Sequence, residues 1–287
     1  MKMKLAQRLL IGYYKTKLKT LTMVSPRKAA EAAFRIFCTP HAAKPPKKSP
    51  PVFHKADPLS LRSGVNMLRG WRWKAEHPNG KKVLIVHGFR SYAWKFEKFI
   101  PLLRKEGFEV IAFDAPAHGH SEGKLINAYI YKQALLDIEA AYGPFYAIIG
   151  HSLGGLATAL AAEEMTETHQ RKLVLVAPAT ETGSAIRNFF SILPVEQKVE
   201  QAFEEMILEL TGKPVSYYSV SRVAREINTQ ILWVHDRHDT ICPFSDVQPL
   251  LSEDLPNTRF LVTEKLGHSR IYKEQWVVKE IIQFLIP

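Results

Sequence analysis

The chain has 287 residues, of which 46% are hydrophobic, so we expect one large domain or two small ones with an ordinary apolar core. Its two cysteines, Cys38 and Cys242, are far apart and match no disulfide framework or metal-binding spacing, which indicates reduced thiols in a cytoplasmic protein. The net charge of +11 is uneven, because residues 1–55 carry 13 lysines and arginines against one acid and residues 56–287 sum to −1. A nucleic-acid-binding protein would carry its basic patch on the folded core, so nucleic acid is not expected as a partner.

The first 28 residues predict a basic amphipathic helix and the start of a second helix. The apolar run Leu9–Ile11 is too short to span a bilayer, and the segment lacks the uninterrupted apolar region of a signal peptide. One helical face carries Leu5, Leu9, Tyr13, Thr16 and Thr20. This pattern is typical of a helix docked on the body with a solvated basic face, and the alternative is a helix on an anionic membrane surface. The arm could also cover a functional site on the body or mediate dimerisation, and the sequence leaves the oligomeric state open.

The end of the basic arm is marked by helix-start and linker signals. Ser25-Pro26 predicts a helix with serine as N-cap and proline at its first position, ending before Thr39-Pro40. Residues 41–53 are rich in proline and lysine, which predicts an extended linker. We therefore divide the chain into an arm with its linker, residues 1–55, and a body, residues 56–287.

In the body, strand and helix patterns alternate. Predicted strands are Val65–Lys74, Lys82–His87, Glu109–Phe113, Phe145–Ile149, Lys172–Val176, Ile231–His235 and Thr258–Thr263. Predicted helices are Trp94–Lys105, Asn127–Tyr142, Leu153–Glu164, Ser245–Leu251 and Lys273–Leu285. The alternation predicts an α/β fold with a mostly parallel sheet covered by helices on both faces.

A helical insertion at about residues 178–226 interrupts this alternation. Apolar residues recur there at helical spacing: Val195, Val199, Phe203, Met206 and Leu210. Such a stripe packs onto another surface, most simply onto the body as a lid.

The stretch AIIGHSLGG, residues 147–155, joins a buried strand to a helix within a few residues. The glycines allow strand and helix to approach closely, and Ser152 sits at the tip of the turn in the G-x-S-x-G pattern of a nucleophile elbow. The amide of Leu153, at the start of the helix, would donate to an oxyanion there. Ser152 could instead be the N-cap of an ordinary helix.

Four further motifs accompany the elbow. In chain order they are His87-Gly88-Phe89-Arg90 after a buried strand, the loop from Asp114 to Ser121, the segment from Val234 to Pro243, and Leu266-Gly267-His268-Ser269. With the elbow they resemble the α/β-hydrolase superfamily over about residues 60–287. The second loop has Ala117 where glycine is usual in that family. It is chiefly structural there, so His118 and His120 are not expected to bind a metal.

The resemblance implies a site built from strand ends. Phe89 matches the position that gives a backbone N–H to the oxyanion hole, and Asp239 matches the family's aspartate, with Asp236 as a nearby competitor read as structural. His268, the only histidine after Asp239, would be the general base, although a loop histidine can also be merely solvated. The chain order Ser152, Asp239, His268 is the one expected for this fold.

The function implied is that of a serine hydrolase acting, without cofactor or metal, on a small-molecule ester or related acyl compound of an apolar acid. Thioesterase, amidase, C–C hydrolase, lipase and acyltransferase activities use the same three residues and stay open. A dehalogenase is disfavoured, because similar dehalogenases carry aspartate at the elbow. A non-catalytic binding protein of this fold is the alternative of another class.

Overall fold

A computed structural model describes residues 5–41, 45–166 and 171–286. Its strands are β1 (Asp57–Ser63), β2 (Asn66–Trp73), β3 (Lys82–Val86), β4 (Glu109–Phe113), β5 (Ala147–His151), β6 (Lys172–Val176), β7 (Gln230–Asp236) and β8 (Thr258–Thr263). Its α-helices are α1 (Leu5–Val24), α2 (Pro26–Cys38), α3 (Phe99–Lys105), α4 (Ala128–Tyr142), α5 (Leu153–Ala162), α6 (Thr182–Ile192), α7 (Gln197–Thr211), α8 (Val220–Glu226), α9 (Gly267–Arg270) and α10 (Gln275–Leu285).

The strands form one sheet in the order β1-β2-β4-β3-β5-β6-β7-β8. Only the pairs β1–β2 and β2–β4 are antiparallel, so the predicted mostly parallel sheet is confirmed. The central strands are buried along nearly their whole length, as their continuous apolar sequences predict. Strand β1 was not predicted, because its sequence DPLSLRS carries few β-branched residues and only its last residue is buried.

Helices cover both faces of the sheet, as predicted. Val83 and Ile85 of β3 share a core cluster with Ile100 of α3 and Ile281 of α10. The intervening residue Leu84 lines a small internal space with residues of α4. Successive side chains of a strand point to opposite faces, so the two sets of helices lie on opposite sides of the sheet.

Two predicted helices differ from the structure, and proline explains both. The segment Trp94–Lys105 contains a 3-10 turn, Ala93–Phe96, followed by α3 from Phe99. Pro101 has no N–H to donate and is accommodated only in the first turn of an α-helix, which places the helix start close before it. The predicted helix Ser245–Leu251 is two short 3-10 helices, the second with Pro249 near its start.

The end of the proline-rich segment is not extended, contrary to the linker prediction. Pro51–Lys55 forms a 3-10 helix that buries Phe53 against Trp73, with ring centroids 4.9 Å apart. The Trp73 indole N–H also donates to the Val52 carbonyl at 2.8 Å. Removing an aromatic ring from water outweighs the extended preference of a proline-rich sequence.

By internal contacts the chain divides into two compact units. The sheet unit comprises Pro40–Thr180 and Ser219–Pro287, and the helical unit comprises Met1–Thr39 and Glu181–Tyr218.

Inside the helical unit, arm residues pack on residues of the 181–218 segment. The rings of Phe34 and Phe37 make edge contacts with Phe203 of α7, and Arg27 donates to both carboxylate oxygens of Glu209. Ser25 accepts a hydrogen bond from the Lys28 amide, which is the predicted N-cap. Packing therefore joins segments that lie far apart in the sequence.

The apolar stripe predicted for this segment is only partly buried. Val199, Phe203 and Met206 are buried, whereas Leu210 is 60% exposed, so the prediction was wrong for that residue. Leu210 lies in the last turn of α7, where Gly212 at a positive φ of 70° turns the chain away.

Candidate active site

Ser152 lies between β5 and α5 with an unusual backbone conformation, φ 56° and ψ −124°. A non-glycine residue in this region is strained by roughly 1–3 kcal/mol and persists only when its surroundings hold it. Here the Ser152 amide donates to the Val176 carbonyl at 3.1 Å, and the Ser152 carbonyl accepts from the Ala179 amide at 3.0 Å. The end of β6 therefore fixes the turn that presents the serine hydroxyl.

Glycine is required beside this turn because other backbone lies close to it. A Cβ on Gly154 would overlap the His87 carbonyl, and one on Gly88 would come within 2.8 Å of the Ser152 Cβ. The loop after β3 therefore approaches the elbow more closely than any side chain would allow.

The three side chains singled out from the sequence form one hydrogen-bonded chain. His268 Nε2 lies 3.0 Å from Ser152 Oγ, and His268 Nδ1 lies 2.7 Å from Asp239 Oδ2. A carboxylate only accepts, so Nδ1 carries the proton and Nε2 accepts from the serine hydroxyl. The side chain of Ser152 makes no N-cap hydrogen bond to α5, which removes the N-cap interpretation.

Asp239 is buried and fully engaged. Its Oδ1 accepts from the amides of Ile241 and Cys242 at 2.8 and 2.9 Å, while Oδ2 accepts from His268. Burial acts to raise the pKa of this carboxyl, but the hydrogen bond and charge of His268 and the two amides outweigh it and lower the pKa. Asp239 is therefore ionised at neutral pH.

The competing aspartate, Asp236, bonds to two backbone amides and a hydroxyl rather than to the imidazole. Its oxygens accept from the His238 amide at 2.9 Å, the Thr263 hydroxyl at 2.7 Å and the Leu266 amide at 2.9 Å. These bonds tie the loop after β7 to the end of β8 and to the residues just before His268. Asp236 thus organises backbone, whereas Asp239 contacts the imidazole.

Phe89 and Leu153 are the two residues predicted to donate amides to an oxyanion. Leu153 follows Ser152 directly as the first residue of α5, and Phe89 follows Gly88, whose Cα adjoins Ser152. Outside the helices and strands, no backbone hydrogen bond of the described residues uses either amide. The backbone bonds of the described loops and turns therefore leave both amides unused.

Two buried histidines, which the sequence did not assign to the site, hold the peptide groups around Phe89. His87 Nδ1 donates to the Gly88 carbonyl at 2.8 Å while its Nε2 accepts from the Ala115 amide at 2.9 Å. His118 Nε2 accepts from the Arg90 amide at 3.0 Å. The N–H of a trans peptide points opposite to its C=O, so fixing the Gly88 carbonyl also fixes the direction of the Phe89 N–H.

These bonds require neutral rings. Burial, followed by the charge of His118, lowers the pKa of His87 to about 4, and burial lowers the pKa of His118. Each ring then has one nitrogen that donates and one that accepts. The sequence signal was their place in the two loop motifs, of which the second was expected to be chiefly structural.

His151, the residue before the serine, also lies in the site. Its Nε2 donates to the main-chain carbonyl of His268 at 3.0 Å, and its ring lies against those of His268 and Tyr272. Burial, followed by the charge of His268, lowers the pKa of His151 to about 3. A neutral His151 therefore links the serine turn to the loop that carries the imidazole.

Cys242 and the two histidines of the second loop are the remaining candidates for a nucleophile and for metal ligands. Cys242 Sγ lies 4.0 Å from Ser152 Oγ, but burial and the nearby Asp239 raise the pKa of this thiol well above its usual value. No group of three or more histidine, cysteine or acidic side chains within the described ranges is placed to hold a metal ion. His118 donates to the Pro116 carbonyl and His120 bonds Asp114, so both serve the loop.

Known families and proteins resemble this chain in sequence over part of its length. The model of the family described as serine aminopeptidase, S33, matches residues 77–222. The uncharacterized hydrolase YugF of Bacillus subtilis (strain 168) is 33% identical over 104 residues, 35% of this chain and 38% of its own. The probable esterase PIR7A of Oryza sativa subsp. indica is 34% identical over 103 residues, 34% of this chain and 39% of its own. The chain thus spans less than half the length of these curated relatives.

Solved structures resemble the chain over most of its length. An esterase from Pyrococcus furiosus superposes with a TM-score of 0.60 at 22% identity, covering 84% of this chain and 96% of that one. The mouse alpha/beta hydrolase domain-containing protein 10 gives a TM-score of 0.59 at 21% identity, covering 80% and 97%. At these identities the likeness shows the fold.

Proposed function

Since the chain belongs to the α/β-hydrolase superfamily, in the family described as serine aminopeptidase S33, we propose that it cleaves a carboxylic ester or a related acyl bond through an acyl-enzyme. The observation that carries the proposal is the continuous hydrogen-bonded chain from Asp239 through His268 to Ser152. A serine hydroxyl is a weak nucleophile until an adjacent base removes its proton, and His268 is that base.

Acylation begins as Ser152 Oγ attacks the carbonyl carbon of the substrate while its proton passes to His268 Nε2. The carbonyl oxygen becomes an oxyanion that accepts hydrogen bonds from the amides of Phe89 and Leu153. Donors fixed in advance stabilise this charge without reorganising during the reaction, and each is worth about 3–4 kcal/mol in comparable sites. His268 then gives its proton to the leaving group as the carbon–heteroatom bond breaks.

Deacylation repeats these steps with water. His268 Nε2 takes a proton from the water, the hydroxide adds to the acyl carbon, and the tetrahedral intermediate collapses with return of the proton to Ser152. Asp239 remains ionised throughout, keeps the proton of the neutral imidazole on Nδ1 and stabilises the imidazolium.

The acyl group proposed for the substrate is apolar. Two side chains next to Ser152 carry no charge, because Leu153 follows it along the chain and Cys242, whose thiol is held protonated by burial, has its Sγ 4.0 Å from Ser152 Oγ. A small or medium apolar acid would contact such surface without leaving a buried charge unpaired.

The experiment compares the full chain with Ser152→Ala on p-nitrophenyl esters of increasing acyl length. We expect Ser152→Ala to lower kcat/KM on the order of 10⁴-fold or more. The control Ser252→Ala, which changes an exposed serine, is expected to retain wild-type turnover. Wild-type rates in Ser152→Ala would contradict the proposal, and the absence of turnover in the folded wild type would favour a non-catalytic binding protein.

A second panel separates the bond types. Thioester and anilide analogues of the best acyl group are compared with its ester at fixed enzyme concentration. The proposal expects the oxygen ester to be turned over with the highest kcat/KM. Preference for the thioester or the anilide would move the assignment to thioesterase or amidase with the same three residues.

A further inference from the structure

Helix α1 has two faces of different character. On the inner face Leu18 and Thr22 are buried and Ile11, Tyr14 and Leu21 are half-buried, because α1 packs against α2 along this side. The opposite face is exposed to solvent along the length of the helix. The solvent-facing side of a helix is ordinarily polar, so apolar side chains on this second face call for an explanation.

Large apolar side chains form a row on the outer face. Leu5, Leu9 and Tyr13 are spaced by four residues and are 70%, 66% and 59% exposed. Residues four apart on a helix are neighbours, so the three side chains make a continuous strip. A single exposed leucine needs no explanation, but a strip of this kind marks a surface that another body covers.

Cations line both sides of this row. Arg8, Lys15 and Lys19 follow one edge and Lys17 lies on the other, all of them exposed, and α1 contains no acidic residue. Among the described residues none of these four cations forms an ion pair. Their charge is therefore available to an anionic partner.

We propose that the outer face of α1 docks onto the surface of an anionic lipid bilayer. The strip of Leu5, Leu9 and Tyr13 would enter the boundary between headgroups and acyl chains, and the flanking lysines would reach the phosphate and carboxylate groups. The helix lies in the plane of the interface, since no helix in the described part of the chain is long and apolar enough to cross a membrane.

A second copy of the chain is the competing occupant. Its most acidic described helix surface is that of α7, with Glu204, Glu205 and Glu209. Glu209 already receives two hydrogen bonds from Arg27 of its own chain. The exposed leucines of α7, Leu208 and Leu210, are two residues apart and point to different sides of the helix, so they do not form a matching apolar strip. A lipid surface satisfies the strip and the cations together, which favours it.

The test is co-sedimentation of the full chain with vesicles of phosphatidylcholine alone and of phosphatidylcholine with phosphatidylserine. We expect binding to the anionic vesicles, weak binding to the neutral ones and release by added salt. The charge variant Lys15→Gln/Lys19→Gln is expected to bind roughly 25-fold more weakly, since each cation near an anionic surface contributes about fivefold. The strip variant Leu9→Gln/Tyr13→Gln is expected to weaken binding at least as much.

Matched controls keep the result interpretable. Lys28→Gln removes an exposed charge on α2 and is expected to bind as the wild type does. Circular dichroism and turnover of soluble esters are expected to be unchanged in all variants, because α1 holds none of the proposed catalytic residues. Equal binding of every variant, or no binding by the wild type, would overturn the proposal. Loss of a dimer in the strip variant without vesicle binding would assign the face to a second copy.

Discussion

The sheet unit and the helical unit use apolar and polar groups in opposite ways. In the sheet unit, polar side chains such as Asp239 and His87 are buried at strand ends, and each is held by several hydrogen bonds. In the helical unit, apolar side chains such as Leu9 and Tyr13 stand exposed beside cations that form no ion pair with any residue the structure describes. Buried polar groups at the ends of strands indicate a catalytic site, whereas exposed apolar groups on a basic helix indicate a docking surface.

Titratable groups separate the units further. All 11 histidines lie outside residues 1–39 and 181–218, so every imidazole that the structure describes belongs to the sheet unit. We therefore expect hydrolysis and sensitivity to acid to depend on the sheet unit, and binding to a lipid surface to depend on the helical unit.

The largest effect is expected at Asp239. Asp239→Asn keeps the shape of the side chain but lets the amide donate, so His268 takes the wrong tautomer and kcat falls about 10⁴-fold. The measurement is steady-state ester hydrolysis on the folded variant. Asp236→Asn is the matched control, three residues away in the same loop.

For Asp236→Asn we expect a different signature. One of three accepted hydrogen bonds is lost or reversed in a buried site, so the free energy of unfolding drops by about 1–3 kcal/mol while kcat changes far less than in Asp239→Asn. If the two variants lost activity equally, Asp239 would not have the distinct role assigned to it.

Acid is expected to destabilise the sheet unit next most strongly. His87 and His151 have folded pKa values of about 4 and about 3, against about 6.5 for an unfolded histidine. Between pH 6.5 and 4 the unfolded chain therefore binds more protons, and each histidine lowers the free energy of unfolding by about 1.4 kcal/mol per pH unit. Stability from these groups is complete above pH 6.5 and is lost on acidification.

Urea unfolding at several pH values checks this slope. His151→Gln is expected to flatten it by about 1.4 kcal/mol per pH unit between pH 6.5 and 4. The lowered pKa values of Asp236 and Asp239 act in the same direction only below about pH 4. His120, whose pKa is raised by Asp114, opposes the trend and is partly exposed. A slope unaffected by His151→Gln would contradict the account.

A smaller effect is expected when the bond between the serine turn and the base loop is removed. His151→Phe deletes the donor to the His268 carbonyl and should lower kcat about fivefold with little change in KM, in line with about 1 kcal/mol for one hydrogen bond. His151→Gln offers an amide donor and should recover most of the loss. Failure of glutamine to recover activity would mean that ring packing on Tyr272, rather than the hydrogen bond, sets the position.

The smallest effect is expected from the helical unit. Leu9→Gln/Tyr13→Gln should leave kcat/KM for soluble esters unchanged within experimental scatter, because these side chains are exposed and touch none of the hydrolytic groups. Stopped-flow or plate-based turnover of p-nitrophenyl butyrate is sufficient. A marked loss of kcat/KM would show that the outer face of α1 contributes to hydrolysis, contrary to the division of roles between the two units.

The sequence predicted those features well that local backbone geometry dictates. The elbow at Ser152 was predicted from the glycines of a tight strand-to-helix turn, and the chain order of Ser152, Asp239 and His268 is what the resemblance to the α/β-hydrolase superfamily implies. The fold, with helices on both faces of a mostly parallel sheet, was predictable for the same reason.

Features that depend on contacts between distant segments were not predictable. His87, His118 and His151 look like ordinary loop and turn residues until the structure shows which carbonyls and amides their nitrogens meet. The 3-10 helix at Phe53 depends on Trp73, twenty residues later in the chain. The packing of Phe34 and Phe37 on Phe203 likewise joins segments that no local pattern connects.

The most direct measurement of the central claim is labelling by a fluorophosphonate, which reacts with a serine only when a base activates it. Intact-mass and peptide analysis of the full chain should show one phosphonyl group on Ser152 in the wild type. Ser152→Ala should remain unlabelled, and His268→Gln should react far more slowly. Absence of labelling in the folded wild type, or labelling that persists in Ser152→Ala, would contradict the assignment of Ser152 as the nucleophile.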